Sequence, residues 1–423
     1  MKSFYKFFFS TLLFHSFLLA DTLDRDHEID VDDVRSIREW LNTKRQVTVK
    51  EKGGALSISG EVHTAFQIAN ERSNGIKQRA PNGATDRAAK TFDIKANFMM
   101  DYRTDRTWAA IRLKFDNKAG IFGGTKDRIN LDRAFLGARL IEQENYTTDV
   151  EIGRRRLSNI FDSKIEFGSL FDGILVSYDS GLENIGNFYT HVGAFIVDQR
   201  QDHYAYIGEV GLMNIANTGF YTKYSLIDWD THNYSNHLKE KKECKEALYC
   251  NLNQRFEFIV SQLLLGYRFI PKKFNKVVIL YAAGLYNHAA KKLAITNYHK
   301  MNWGSYVGFS LGELKKTGDW SFDANYQLVA PQALPDFDSN GIGLGNAADT
   351  GFYTVNIDGS GGATTRKTAA GNNNFRGYQL TLQYLLTNNI TLFQSWQDSK
   401  TLYNNIGPHR SFKQYEIEFI YGF

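Results

Sequence analysis

Apolar and polar residues alternate in short runs from residue 55 to the end of the chain, and this pattern constrains the fold more than any other feature. In the last run, 414–423, one parity carries Tyr, Ile, Phe, Tyr and Phe, while the other carries mainly Gln, Glu and Gly. Successive side chains of a β-strand point to opposite faces. Each run therefore predicts a strand with one apolar face and one polar face.

About sixteen such runs occur, each roughly ten residues long, which is the length that a tilted membrane strand requires. The connections between them alternate in length. Short connections lie at 104–106, 142–145, 214–217, 271–275, 315–318 and 388–389, and long ones at 69–91, 156–171, 228–253, 288–301, 330–374 and 399–411. The sequence thus predicts an all-β fold, a transmembrane antiparallel β-barrel over 55–423, with short periplasmic turns and long extracellular loops.

Composition alone leaves two classes of protein open. Charged residues make up 23% of the chain, the mean hydropathy is −0.39, and no later apolar run matches the first twenty residues. No segment beyond residue 20 could therefore cross a bilayer as a helix. The chain is either a soluble β-protein, such as a β-sandwich, or a barrel whose lipid-facing residues are hidden by alternation. A net charge of +4 is too small to indicate nucleic-acid binding.

The N-terminal region differs from the rest of the chain. Residues 1–20 place Lys2 and Lys6 before a short apolar core, which predicts a secretory signal peptide cut after Ala20. Residues 21–54 are then a periplasmic N-terminal segment. Within it, the apolar spacing at 30–45 predicts a short amphipathic helix, and a leader without fixed structure is the alternative.

Two cysteines, Cys244 and Cys250, lie close together in a polar stretch. A local disulfide suits an oxidising compartment, and two free thiols are the alternative. Their spacing does not match a zinc pair, so we expect no metal site and no cofactor.

The C-terminal run ends on an aromatic residue, whereas chain termini in soluble sheets are usually frayed and polar. This run resembles the last strand of Gram-negative outer-membrane proteins, where a final Phe preceded by alternating aromatics serves as the assembly signal. The resemblance implies that the barrel-assembly machinery reads Phe423, Tyr421 and Phe419. It also implies that the chain lies in the cell outer membrane, in contact with outer-membrane lipid.

Charged residues concentrate at 149–173, where three consecutive arginines end a strand and a loop follows that is both apolar and charged. Apolar residues of that loop would be unusual in bulk water, which indicates a loop packed against another part of the barrel. Charges within it keep one side polar. The residues that we expect at a channel constriction are Arg154, Arg155, Arg156, Asp162, Lys164 and Glu166.

This stretch resembles the Gram-negative general porins, in which a strand ends in Gly-Arg and an infolded loop carries Pro-Glu-Phe-Gly-Gly. Here Gly153-Arg154 and 166–168 match, while Ile165 and Ser169 depart from the motif. The resemblance implies that Arg154 belongs to a basic pore wall and that Glu166 faces it from the loop. It also implies a homotrimer.

Neighbouring strands carry further basic residues on their polar parity, namely Arg112, Lys114, Arg133 and Arg139. If this basic wall faced the acids of the loop, it would create a transverse electric field across a narrow aqueous passage. The alternative is that these charges only solvate a polar lumen. Acids are also present on the polar parities, at Glu61, Asp93, Asp101, Glu416 and Glu418, so we expect weak ion selectivity at most.

The predicted function is a porin, a passive diffusion channel for small hydrophilic solutes and ions, with no covalent chemistry. An adhesin or receptor barrel that uses the long loops at 228–253 and 330–374 is the main alternative. A barrel enzyme is a further one, with catalytic groups assembled across strands. The solute and the ion preference cannot be deduced from the sequence.

Overall fold

The computed structural model describes residues 47–51, 54–79, 89–118, 128–198, 203–230, 258–273, 275–292, 298–335, 338–342, 373–404 and 409–423. All of them belong to the compact unit Val34–Phe423. The signal peptide at 1–20, the helix at 30–45 and the cysteines Cys244 and Cys250 lie outside the described residues, so these predictions stay predictions.

Sixteen antiparallel strands form a closed barrel, as the alternation predicts, and two short strands add to it. The barrel strands are β2 (Gly54–Ser73), β4 (Lys90–Arg103), β5 (Thr107–Lys118), β6 (Arg128–Glu142), β7 (Tyr146–Arg156), β8 (Leu170–Leu182), β9 (Gly186–Asp198), β10 (His203–Ile215), β11 (Phe220–Asp228), β12 (Ile259–Phe269), β13 (Val278–Asn287), β14 (Trp303–Leu311), β15 (Trp320–Val329), β16 (Phe375–Thr387), β17 (Ile390–Thr401) and β18 (Arg410–Gly422). The short strands β1 (Val47–Glu51) and β3 (Ile76–Lys77) each pair with β2. Among the described residues, the one helical element is the 3₁₀ turn Leu157–Asn159.

The barrel closes between its last strand and its first. β18 pairs with β2 in one continuous register, from Arg410 opposite Ser73 to Gly422 opposite Glu61. Beyond this register, the backbone groups of Gly60 and Phe423 exchange two hydrogen bonds of 2.9 Å each. The C-terminal strand therefore leaves no unpaired edge, which a spanning sheet requires.

The outer face of the barrel carries the apolar parity of the strands. Val192, Leu265 and Phe419 are 57%, 54% and 47% exposed, although they sit in the middle of paired strands. Tyr421 and Phe423 share this outer face at the end of the chain. Large apolar side chains around a closed sheet are typical of a barrel that faces lipid.

The connections differ between the two ends of the barrel, as predicted. At one end the chain turns within 104–106, 143–145, 183–185, 216–219, 270–277, 312–319 and 388–389. At the other end it includes the much longer connections 229–258 and 330–374. In the part of the chain that the structure describes, no helix is long and apolar enough to cross a membrane.

Candidate functional site

The connection 157–169, here called the infolded loop, lies inside the barrel. Its apolar side chains are at most 3% exposed, and they belong to one large buried cluster with inward-facing residues of the strands. These loop residues are Leu157, Ile160, Phe161, Ile165 and Phe167. Their burial explains why a charged loop carries so many large apolar residues, since about 25 cal/mol per Å² of removed apolar surface favours docking.

The infolded loop reaches across the interior. Lys164 Nζ lies 3.1 Å from Asp323 Oδ2 on β15. Gln262 on β12 donates a hydrogen bond of 2.8 Å to the carbonyl oxygen of Asp162. Because β15 lies seven strands from β8 in a ring of sixteen, a loop that starts at β7 and touches β15 must cross the lumen.

A second inward segment, 338–342, holds the infolded loop in place. The backbone N–H of Gly168 donates to the Asp338 carbonyl at 2.9 Å, and that of Asn340 donates to the Ile165 carbonyl at 2.9 Å. The backbone N–H groups of Phe167 and Ser169 each donate to the Asp338 carboxylate at 3.1 Å. This segment belongs to the 330–374 connection, which the sequence places at the surface as an extracellular loop.

Gly341 is the residue in the sequence that could have indicated a close contact for this second segment. It has a φ of +82°, and a Cβ atom there would lie 2.4 Å from the Lys164 carbonyl oxygen. Only glycine allows both the left-handed backbone and this close approach. A glycine alone does not reveal its partner, so the sequence could not place the contact.

Arg154 does not belong to the pore wall, contrary to the prediction. In the register it lies opposite Ala134 and Asp172, on the same parity as the outward Ile152 and Ile174. Its guanidinium forms two hydrogen bonds of 2.6 Å with the Asp172 carboxylate. Its charge is therefore paired on the outer face of the sheet.

The two following arginines have acidic partners. Arg155 shares the inward parity of Glu151, forms an ion pair with it, and lies over the Phe135 ring, 4.4 Å from its centroid. Arg156 is 2.7 Å from Asp132, a bulge residue of β6. Neither arginine is therefore an isolated positive charge at the predicted constriction.

Glu166 is only 1% exposed, so it does not face an aqueous passage, contrary to the prediction. Its Oε1 atom accepts no hydrogen bond from the described residues. Burial, with the nearby charges of Asp338 and Glu209, raises the pKa of the Glu166 carboxyl well above its ordinary value. Burial thus favours the protonated form of Glu166, which carries no charge and adds no field to the interior.

The remaining two loop residues of the predicted constriction extend toward the strands. Asp162 pairs with Lys223 of β11 at 3.3 Å, and Lys164 pairs with Asp323. Their side chains are 31% and 32% exposed, so water reaches them. These ion pairs tie the infolded loop to the wall at two points.

The four predicted wall residues lie on the inward face, but they do not form an unopposed basic wall. Arg112 is 3.4 Å from Glu61 and 3.9 Å from Asp132, and Arg139 is 3.0 Å from Asp149. The charges of Lys114 and Arg133 interact with Asp132 and Asp101. Acids stand between the bases because the same inward parity carries both kinds of residue.

His63 extends this charge network across the closing seam of the barrel. Its Nε2 atom is 3.1 Å from Glu61, and its Nδ1 atom is 3.0 Å from Glu418 on β18. Lys95 lies 3.9 Å from the same Glu418 carboxylate. This role of His63 could not be predicted from the sequence, because Glu418 is 355 positions away.

Beside the charged wall, the inward face of β16 and β17 is polar without charge. The register places Gln379, Thr381, Gln383, Ser395 and Gln397 on this face. The interior thus has three parts: a loop-covered apolar side, a wall of paired charges and a neutral amide and hydroxyl wall. In the described part of the chain, no group of three metal-ligating side chains comes together.

These features define a closed transmembrane β-barrel with a polar interior and an infolded loop, an architecture consistent with an outer-membrane porin. No protein-family model matches the sequence, and a comparison with curated proteins finds no match.

Solved structures of similar shape are outer-membrane channels and porins. Pseudomonas putida OprB at high pH has a TM-score of 0.48 at 10% identity, covering 87% of this chain and 94% of that chain. Salmonella typhi OmpF in complex with daunomycin scores 0.47 at 10% identity, with 89% and 100% covered. The outer-membrane channel DcaP of Acinetobacter baumannii scores 0.46 at 11% identity, with 89% and 99% covered. Because these scores are below 0.5, the fold assignment rests on the strand pairing itself.

Proposed function

We propose that this chain is an outer-membrane porin, a passive diffusion channel for small hydrophilic solutes and ions. The arrangement of the barrel interior carries the proposal. The infolded loop covers one side, while charged side chains on the inward face of β4, β5 and β6 remain accessible to water: Arg139 is 32% exposed, Lys95 27% and Arg112 22%. A polar, hydrated interior inside an apolar outer face suits the passage of hydrophilic solutes.

The paired charges support weak ion selectivity. Four inward bases, Lys95, Arg112, Arg139 and Arg155, each have a carboxylate within 4 Å. Charge selectivity needs an excess of one sign near the passage, and this wall has none. The uncharged amide and hydroxyl wall on β16 and β17 adds hydrogen-bonding groups without a preference for either sign of ion. Neutral hydrophilic solutes are therefore accepted as well as salts.

The outer-membrane location is supported by the apolar outer face and by the C-terminal aromatic strand. In this proposal the segment 1–20 directs export, the barrel-assembly machinery recognises Phe423, and a homotrimer is the expected assembly. The segment 21–54 remains in the periplasm. No enzymatic step is part of the proposed function.

Conductance of the purified protein in a planar lipid bilayer tests the proposal. We expect discrete, long-lived open-channel steps, and we expect liposomes that contain the protein to swell in neutral sugars and in salts at similar rates. A folded barrel that inserts and remains electrically silent would refute a channel. Binding of such a silent barrel to cells or phages would instead favour the adhesin or receptor.

A further inference from the structure

Three buried carboxyl groups meet where the infolded loop packs against the rest of the barrel interior. Glu166, Asp338 and Glu209 are 1%, 0% and 2% exposed. They come from the infolded loop, the segment 338–342 and β10. The charges of Asp338 and Glu209 both act on Glu166. Because an ionised carboxylate in such a site loses its hydration, three adjacent charges would be very costly.

Hydrogen-bond donors distinguish these carboxyls from one another. Asp338 accepts two backbone N–H groups, from Phe167 and Ser169, and Glu209 accepts the Tyr189 hydroxyl at 2.8 Å. Glu166 Oε1 accepts none from the described residues. Donors stabilise the charged form of a carboxyl. Of the three carboxyls, Glu166 is therefore the one that we expect to be protonated most readily.

The basic side chains near this cluster each bond to a group outside it, and His191 lies opposite Glu209 in the sheet. Lys223 of β11 bonds Asp162, Lys164 bonds Asp323 of β15, and His191 of β9 bonds Ser177 Oγ at 2.9 Å. Protonation is therefore the way in which we expect Glu166 to lose its charge. Loss of that proton would place a new negative charge beside Asp338, in the contact that holds the infolded loop.

We propose that Glu166 and Asp338 form a proton-operated latch, which keeps the infolded loop docked on 338–342 while Glu166 is protonated and releases it when that proton is lost. The released loop would have both carboxyls in water, where their pKa values are ordinary. Burial raises the pKa of Glu166 well above its usual value and that of Asp338 to about 7. A raised pKa in the docked state means that docking is strongest below the ordinary carboxyl pKa and weakens as pH rises through the raised values.

Hydrogen–deuterium exchange of the folded barrel tests the latch, with peptides from 157–169 followed by mass spectrometry over a pH series. Glu166→Gln and wild type are compared at each pH, so the chemical exchange rate cancels. We expect the wild-type loop to lose protection as pH rises, and we expect Glu166→Gln to lose less, because only Asp338 can then ionise in the docked contact. Glu183→Gln, which removes an exposed carboxyl from a short turn, should behave as wild type.

Glu166→Met is the second variant in case the glutamine variant fails to fold, because methionine fills the same buried site without a charge. Equal loss of protection in wild type and in either variant would overturn the latch, as would full protection of the wild-type loop at alkaline pH. The exchange measurement does not require conduction, so its outcome is independent of the proposed porin function.

Discussion

Replacing Arg112 by Gln tests whether the paired wall sets ion preference. Arg112 Nη2 lies 3.4 Å from Glu61 Oε2, and Arg112 Nε lies 3.9 Å from Asp132 Oδ2. Its removal leaves both carboxylates in place and takes one positive charge off the inward face. We therefore expect the ion preference to shift toward cations.

Coulomb's law gives the size of the shift. A unit charge about 6 Å from a permeating ion contributes about 0.7 kcal/mol in bulk water. That energy changes the local population of an ion roughly threefold, in opposite directions for cations and anions. The cation-to-anion permeability ratio should then rise by up to about tenfold at low salt. The shift should be smaller at physiological ionic strength, where the Debye length is about 8 Å.

Reversal potentials under a salt gradient, at low and at high salt, measure this ratio. Arg154→Gln is the matched control, because it removes the same charge from the outer face, where Arg154 pairs with Asp172. The control should leave the reversal potential unchanged at high salt. If both variants shift it equally, or if only Arg154→Gln does, the assignment of inward and outward arginines is wrong.

Three further predictions concern assembly and the infolded loop. Deleting Phe423 should lower the yield of folded barrel in the outer membrane, because the closing seam loses its last backbone pair; unchanged yield and protease resistance would contradict this. Phe161→Ala should weaken docking of the infolded loop by about 3–5 kcal/mol, which would appear as faster hydrogen exchange in that loop. Leu140→Ala on the outer face should leave exchange in the loop unchanged. Equal exchange in the two variants would refute the packing argument. Replacing Cys244 and Cys250 by Ser should leave assembly intact, since so short a disulfide loop contributes about 2–3 kcal/mol at most; loss of the heat-modifiable form would count against it.

For the predicted constriction residues, the Gly-Arg motif and the alternation of the strand predict different orientations of the side chains. On β7, Asp149, Glu151 and Arg155 share one parity and face inward, which places Arg154 on the outside. Alternation alone predicts this result, because successive side chains must point to opposite faces. The Gly-Arg resemblance led to the wrong assignment, since a two-residue match does not fix the parity of the strand.

Glu166 illustrates a different failure. An acid in a charged loop is usually solvated, and nothing in the neighbouring residues indicates that this one is covered. The two acids whose charges act on it, Asp338 and Glu209, are distant in the sequence. Burial of a polar group depends on what packs over it, and a local pattern contains no information on that.

The sequence by itself determined the closed barrel, its sixteen strands and the alternation of short and long connections, because strand parity and turn chemistry are local properties. The aromatic end of β18 likewise indicated the outer face. Only the tertiary structure decided how the interior is arranged. The contact that holds the infolded loop joins Phe167 to Asp338, 171 positions apart, and the charge network joins His63 to Glu418, 355 positions apart. Such pairs form only when the closed sheet brings distant strands and loops into one lumen.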